Sequence, residues 1–109
     1  MEFTQDLVKG SIVPIVLALL KERPMYGYEI VKLVNARSGG RLEWKEGTLY
    51  PTLQRMLIHG WVTAEWRTTE NKRRARYYTL TPEGRKQLAA EARDFNRAMT
   101  AIRRVIEPA

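Results

Sequence analysis

The sequence predicts a mainly α fold with one β-hairpin (α+β), in the order helix, helix, helix, hairpin, long helix. Three observations predict it. Apolar residues recur at intervals of three and four in the segments before Gly60, and the stretch after Gly60 turns to β-branched and aromatic residues around a polar turn. The final segment then carries an apolar repeat of about 3.5 residues.

The first helix is expected from about Thr4 to Lys21, with Leu7, Val8, Ile12, Ile15, Val16, Leu19 and Leu20 forming a wide apolar stripe. Pro14 removes one backbone hydrogen bond and bends this helix unless the helix starts near it. Glu22, Arg23 and Pro24 end the segment. "MYGYEIVKLVNARSGG" reads as the second helix, with Tyr28 and Val31 inward, joined by Val34 and Leu33, and Ser38-Gly39-Gly40 as its stop. A connector from Arg41 to Lys45 leads to "EGTLYPTLQRM", whose Leu49, Leu53, Met56 and Leu57 keep helical spacing to about His59. Proline is tolerated in the first turn of a helix, so Pro51 sets the third helix start near Gly47 or Thr48, and Gly60 is its C-terminal punctuation.

"WVTAEWRTTENKRRARYYTLT" forms a two-stranded antiparallel hairpin turning at Glu70-Asn71-Lys72. Thr81-Pro82-Glu83 restarts a helix, with a capping threonine, proline at the first helical position and an acid in the first turn. It can run to about Val105, with Pro108 near the terminus. Leu88, Ala92, Phe95, Met99, Ile102 and Ile106 follow each other at four, three, four, three, four, the pattern of a coiled-coil seam. Such a seam predicts pairing with a second copy, the alternative being that the stripe packs back on its own domain.

Composition narrows the function. The chain has 109 residues, no cysteine, one histidine and a net charge of +7. Disulfides and thiolate metal sites are therefore excluded, and His59 alone cannot assemble a catalytic triad or a histidine-rich metal site within one chain; it fits better as a helix C-terminal cap. No enzyme activity, metal or cofactor is expected. The most apolar run, Ile12 to Leu20, is nine residues long and broken by Pro14, too short for a membrane span. The cytoplasm is the default compartment.

The positive charge is local. Arg67, Lys72, Arg73, Arg74 and Arg76 stand against Glu70 alone in one ten-residue stretch, whereas residues 1 to 40 are nearly balanced. Three helices followed by a basic hairpin is the order of a winged helix-turn-helix, with residues 1–81 as a DNA-binding domain, the wing at about 61–80, and 82–109 as a dimerisation helix. The third helix would enter the major groove of double-stranded DNA. Lys45, Thr48, Tyr50, Thr52, Gln54 and Arg55 surround its start: threonine can meet a thymine methyl or a phosphate, glutamine reads adenine, and arginine reads guanine or clamps a phosphate. Tyr50 could equally pack beneath the helix start. Lys72, Arg73 and Arg74 at the wing tip suit phosphates or a narrow minor groove, against a bland reading as a solvated turn that protects an edge strand. A winged helix used for docking an acidic protein is the competing class of function.

"MYGYEI" (25–30), "EGTLYPTLQRM" (46–56), "HGWV" (59–62) and "RRARYYTLTPEGRKQL" (73–88), in this order and spacing, resemble PadR-type transcriptional regulators of the short kind with a single C-terminal helix. The resemblance covers nearly the whole chain. It implies a dimeric winged-helix repressor whose N- and C-terminal helices build the dimer interface, with Thr48, Tyr50, Pro51 and Thr52 at the recognition-helix start, Tyr26 near a phosphate and Lys72 to Arg74 at the wing tip. Two departures stand out. His59-Gly60-Trp61 replaces the family's usual acidic residue, glycine and leucine before the wing, and the last helix lacks the tryptophan with which some short members bind flat aromatic drugs. Phe95 and Met99 are the residues on the seam that could hold a small aromatic effector.

Overall fold

The computed structural model describes residues 5–107, with side chains from Gly10 onward. Seven elements follow one another: α1 (Gln5–Glu22), β1 (Met25–Tyr26), α2 (Gly27–Arg37), α3 (Glu46–Ile58), β2 (Val62–Thr68), β3 (Arg74–Leu80) and α4 (Pro82–Ile106). Thr4 and Pro108 lie outside the described residues, as do the side chains of Leu7 and Val8 of the apolar stripe. Pro14 is accommodated inside α1, which runs unbroken through it.

The sheet has three strands, in the order β1-β3-β2, where the sequence suggested two. β1 is only two residues long and pairs antiparallel with β3, Met25 opposite Tyr78 and Tyr26 opposite Tyr77. The hairpin itself pairs from Val62 opposite Leu80 to Thr68 opposite Arg74. Residues directly opposite each other share a face and alternate along each strand. Val62, Leu80 and Tyr78 are therefore buried against the helices, and Trp66, Arg76, Thr68 and Arg74 continue that face outward beyond the core. The tip is closed by Thr69, whose N–H donates to the Arg73 carbonyl (2.7 Å) while its own carbonyl accepts from the Lys72 N–H (2.9 Å), with Lys72 left-handed at φ 61°.

Because Met25 and Tyr26 are drawn into the sheet, α2 starts later than expected and turns differently. Ile30 and Val34 face inward, whereas Tyr28 is exposed beneath Lys32 and Val31 is only half-buried. The Glu29 carboxylate accepts from the Tyr26 N–H (3.2 Å) and pairs with Arg23 (2.8 Å), closing the start of the helix.

α3 begins at Glu46, so Pro51 lies in its second turn and not its first. The helix continues through it at the loss of one hydrogen bond, to the carbonyl of Gly47. At the other end the N–H groups of Gly60 and Trp61 return to the carbonyls of Leu57 (3.0 Å) and Met56 (2.9 Å), the two bonds of a Schellman cap. His59 is the C-cap residue and stacks on Trp61, ring centroids 4.6 Å apart.

The core joins every element except α4: Val16, Leu17 and Leu20 of α1, Met25, Ile30 and Val34, Trp44 from the connector, Leu49, Leu53 and Met56 of α3, and Val62, Tyr78 and Leu80 of the sheet. Each such side chain contributes about 1.5–3 kcal/mol by burial. α4 packs its first half on this body through α1 and β3. Its start is fixed closely: the Thr81 hydroxyl donates to the Gly60 carbonyl (2.6 Å) and accepts from the Gly84 N–H (3.0 Å), while the Thr81 N–H reaches the Trp61 carbonyl (3.0 Å).

Candidate nucleic-acid interface

Tertiary packing divides α3 into two surfaces. At about 100° per residue, Leu49, Thr52, Leu53 and Met56 occupy one arc, and all four are buried. Thr52, expected on the outward surface, is therefore a correction: it is 2% exposed, and its hydroxyl accepts from the Arg55 guanidinium (3.2 Å). Its spacing of three from Leu49 and four from Met56 is the signal that assigns it to the core stripe. The opposite arc presents Gly47, Pro51, Gln54 and Ile58, all exposed. Glycine and proline leave this face shallow for its first turn and a half, and a Cβ added at Gly47 would meet nothing within 4 Å. No side chain caps the helix start, whose preceding residue is Lys45.

Between α3 and the wing lies a concave surface of about 1000 Å³. Glu46, Tyr50 and Gln54, four residues apart on one side of α3, form one wall; Trp66, Arg74 and Arg76 of the wing form the other, with Arg73 and Asn71 at the rim and Tyr26, Gly27 and Tyr28 at the foot. This surface brings together Tyr26, Tyr50, Gln54, Arg73 and Arg74 from the sequence reading. Thr48 and Arg55 are exposed on the far side of α3, and Lys45 and Lys72 are exposed outside the cleft lining. Trp66, Arg76 and Glu46 were not among the expected contact residues, although strand alternation puts Trp66 and Arg76 on the face of Val62 and Leu80.

Tyr50 both packs and remains accessible. Its ring edge lies against the backbone of Gly27, where an added Cβ would come within 3.1 Å of the phenol oxygen, yet the residue is 47% exposed to the cleft. Glycine at 27 thus lets α2 and α3 approach through this ring. Burial, followed by the nearby Glu46 carboxylate and Tyr78, raises the Tyr50 phenol above its ordinary value. Burial, followed by Glu29 and Tyr77, does the same at Tyr26, whose ring lies 5.2 Å from that of Tyr77. Both hydroxyls stay protonated at neutral pH and can donate to an anion.

Cations and aromatic rings interleave along the wing. The guanidinium of Arg67 lies 5.2 Å from the Tyr77 ring, that of Arg74 5.7 Å from Trp66, and that of Arg76 5.9 Å from Tyr78. Arg67 is also paired with Glu65 on the outer face. Arg73, Arg74 and Arg76 line a surface whose lining carries Glu46 as its acid, an arrangement suited to a polyanion. Among the described residues no cluster of metal-ligating side chains occurs and no helix is long and apolar enough to cross a membrane.

A second surface lies on α4. Leu88, expected on the seam, packs instead against its own domain core. Beyond it the stripe opens to solvent: Ala92 is exposed, Phe95 is 59% exposed, Met99 half-buried, and Ile102 and Ile106 exposed.

The fold has counterparts in known proteins. The chain superposes on a transcriptional regulator from Clostridium thermocellum with a TM-score of 0.87 at 28% identity, over 96% of this chain and 99% of that one. A PadR family transcriptional regulator from Eggerthella lenta gives a TM-score of 0.80 at 30% identity, over 95% and 88% of the two chains. A PadR-like regulator from Bacillus cereus, 22% identical, shares the fold with a TM-score of 0.82 over 96% of this chain and all of that one. The sequence model of the PadR-like transcriptional regulators matches residues 16–90, which include every wall of the cleft between α3 and the wing. The chain belongs to the PadR-like family of transcriptional regulators, a regulator and not an enzyme.

Proposed function

We propose that the protein is a cytoplasmic, homodimeric, sequence-specific repressor that binds a pseudo-palindromic operator in double-stranded DNA. The observation that carries this reading is the cleft in which the Glu46, Tyr50 and Gln54 side of α3 faces three wing arginines. The first turns of α3 enter the major groove, Gln54 reads a base edge, and Tyr26, Tyr50, Lys45, Thr48 and Arg55 contact the backbone or bases on either side. Lys72, Arg73 and Arg74 add affinity that falls steeply with salt. The distal α4 seam of Ala92, Phe95, Met99, Ile102 and Ile106 pairs two copies, so that the winged-helix part, residues 1–81, reads one half-site per chain with centres about 34–36 Å apart. A small aromatic effector seated at Phe95 and Met99 would release the DNA by altering that pairing. No cofactor takes part.

Selection of duplexes from a random library, followed by footprinting, tests the reading. Two protected half-sites one helical turn apart are expected. Arg73→Ala with Arg74→Ala should weaken selected and random duplexes alike and lower the salt slope by about 2, whereas Gln54→Ala should cost ~1–3 kcal/mol at one base position only. Equal affinity for selected and random duplexes would reject sequence-specific regulation in favour of a basic surface that docks an acidic protein.

A further inference from the structure

Of the three tryptophans, Trp44 is buried and Trp61 half-buried, whereas Trp66 is 61% exposed in the middle of β2. Nothing in its own fold requires an indole there. Its face is that of Val62 and Leu80, so it looks into the cleft and not toward the outer face with Glu65 and Arg67. Arg76 lies directly across from it on β3, and the Arg74 guanidinium stands over its ring. Arg74 and Arg76, two residues apart on one strand face, are separated by about 7 Å along the strand. The wall of the cleft is thus an indole with one cation over its ring and a second directly across the strand pair, facing Tyr50 and Gln54 on α3.

A nucleic-acid backbone repeats the complementary pattern, an apolar sugar face between two anionic phosphates. We propose that Trp66 is a DNA-contact residue whose indole packs on a deoxyribose of the backbone strand held between α3 and the wing, with Arg74 and Arg76 on the flanking phosphates. This rests on the DNA-binding reading above and assigns a contact that phosphate electrostatics does not supply. The sugar is the same at every nucleotide, so the contribution is independent of sequence. An apolar contact releases no counterion, so it is also independent of salt.

Both properties allow a test with random-sequence duplex at low salt. The full chain carrying 5-fluorotryptophan gives three fluorine resonances, that of Trp66 being identified by its loss in Trp66→Phe. On adding duplex, the Trp66 resonance should shift and become shielded from an aqueous quencher while that of Trp44 stays in place. Trp66→Ala should bind about tenfold more weakly with an unchanged salt slope, and Trp66→Phe should recover most of the loss. An unmoved Trp66 resonance, or affinity within about twofold of the parent, overturns the proposal while leaving DNA binding intact. So does a loss accompanied by a slope lower by about 1, which would mean that Trp66 only holds Arg74 in place. Failure of the parent chain to bind any duplex sinks the DNA-binding reading itself, and this contact with it. Retained melting temperatures in both variants exclude misfolding as the cause.

Discussion

The two ends of α4 are built on opposite terms. At its start the helix has no freedom: a Cβ added to Gly84 would lie 2.1 Å from the Trp61 carbonyl oxygen and 2.5 Å from Leu80, and Thr81 ties the first turn to Gly60 and Trp61 by two hydrogen bonds while its hydroxyl accepts a third from the Gly84 N–H. About three turns after Gly84, Phe95 is more than half exposed, and Ile102 and Ile106 are exposed as well. One helix therefore has one end determined by its own chain and one end left apolar and open. The difference separates what makes the fold from what remains for a partner. It also separates the kinds of variant that expose each role.

The largest effect is expected at the fixed end. Gly84→Ala drives a methyl into backbone, where no side chain can rotate away, so α4 must shift or the strand end must open. We expect a loss of about 3 kcal/mol or more. For a domain of this size that lowers Tm by roughly 12 °C or more in a thermal melt. A fall below about 1 kcal/mol would show that the contact between α4 and Trp61 yields easily and that the contrast between the two ends is shallower than drawn.

Gly84 also marks the limit of what the sequence reveals. The start of α4 was legible from Thr81-Pro82-Glu83, because capping chemistry is local. Nothing in that tripeptide says that the carbonyl of Trp61 lies within 3 Å of the place a side chain at Gly84 would occupy. The same division runs through the rest of the molecule. Helix periodicity gave α3 and its core residues Leu49, Leu53 and Met56, and the change of pattern after Gly60 gave the hairpin. β1 escaped notice because a two-residue strand has no period, and its existence depends on pairing with Tyr77 and Tyr78 fifty residues away. Thr52 was misplaced by residue type: a hydroxyl suggested the surface although the spacing to Leu49 and Met56 assigned it to the core. Trp66 and Arg76 were readable from alternation with Val62 and Leu80, but only once the face that looks toward α3 is known.

At the open end a charge should leave the fold alone and weaken the proposed association. Phe95→Lys and Ile102→Lys sit where the isolated chain makes few contacts, so the dilute monomer should change stability by no more than about 0.5 kcal/mol. If the seam pairs two copies, burying either lysine opposite its symmetry mate raises the dissociation constant by about thirtyfold or more. Sedimentation at several concentrations measures it, and Tm should lose its dependence on concentration. A monomer that unfolds as readily as Gly84→Ala would mean that the distal stripe serves its own chain after all.

The smallest expected effect concerns a contact that looks strong. Arg37 donates two hydrogen bonds to the Glu22 carboxylate, at 2.5 and 2.8 Å, joining the ends of α1 and α2. This pairing is the largest of the causes that lower the Glu22 pKa from 4.5, with the charges of Arg37 and then Arg23 acting the same way and desolvation opposing them. A carboxyl whose folded pKa lies below its unfolded one stabilises the fold above the unfolded value, and that contribution disappears as pH falls through the folded value. Glu22→Gln should therefore lower Tm slightly at pH 7 and not at all once pH has fallen through the lowered folded value and the acid is protonated. Both partners are exposed, so water and salt screen the pair, and the pH 7 difference should shrink further in high salt. A salt-resistant loss would mean that this junction is held as firmly as the one at Gly84, despite lying in water. The expected weakness says instead that close approach of buried backbone, and not the number of drawn hydrogen bonds, is what makes the start of α4 rigid.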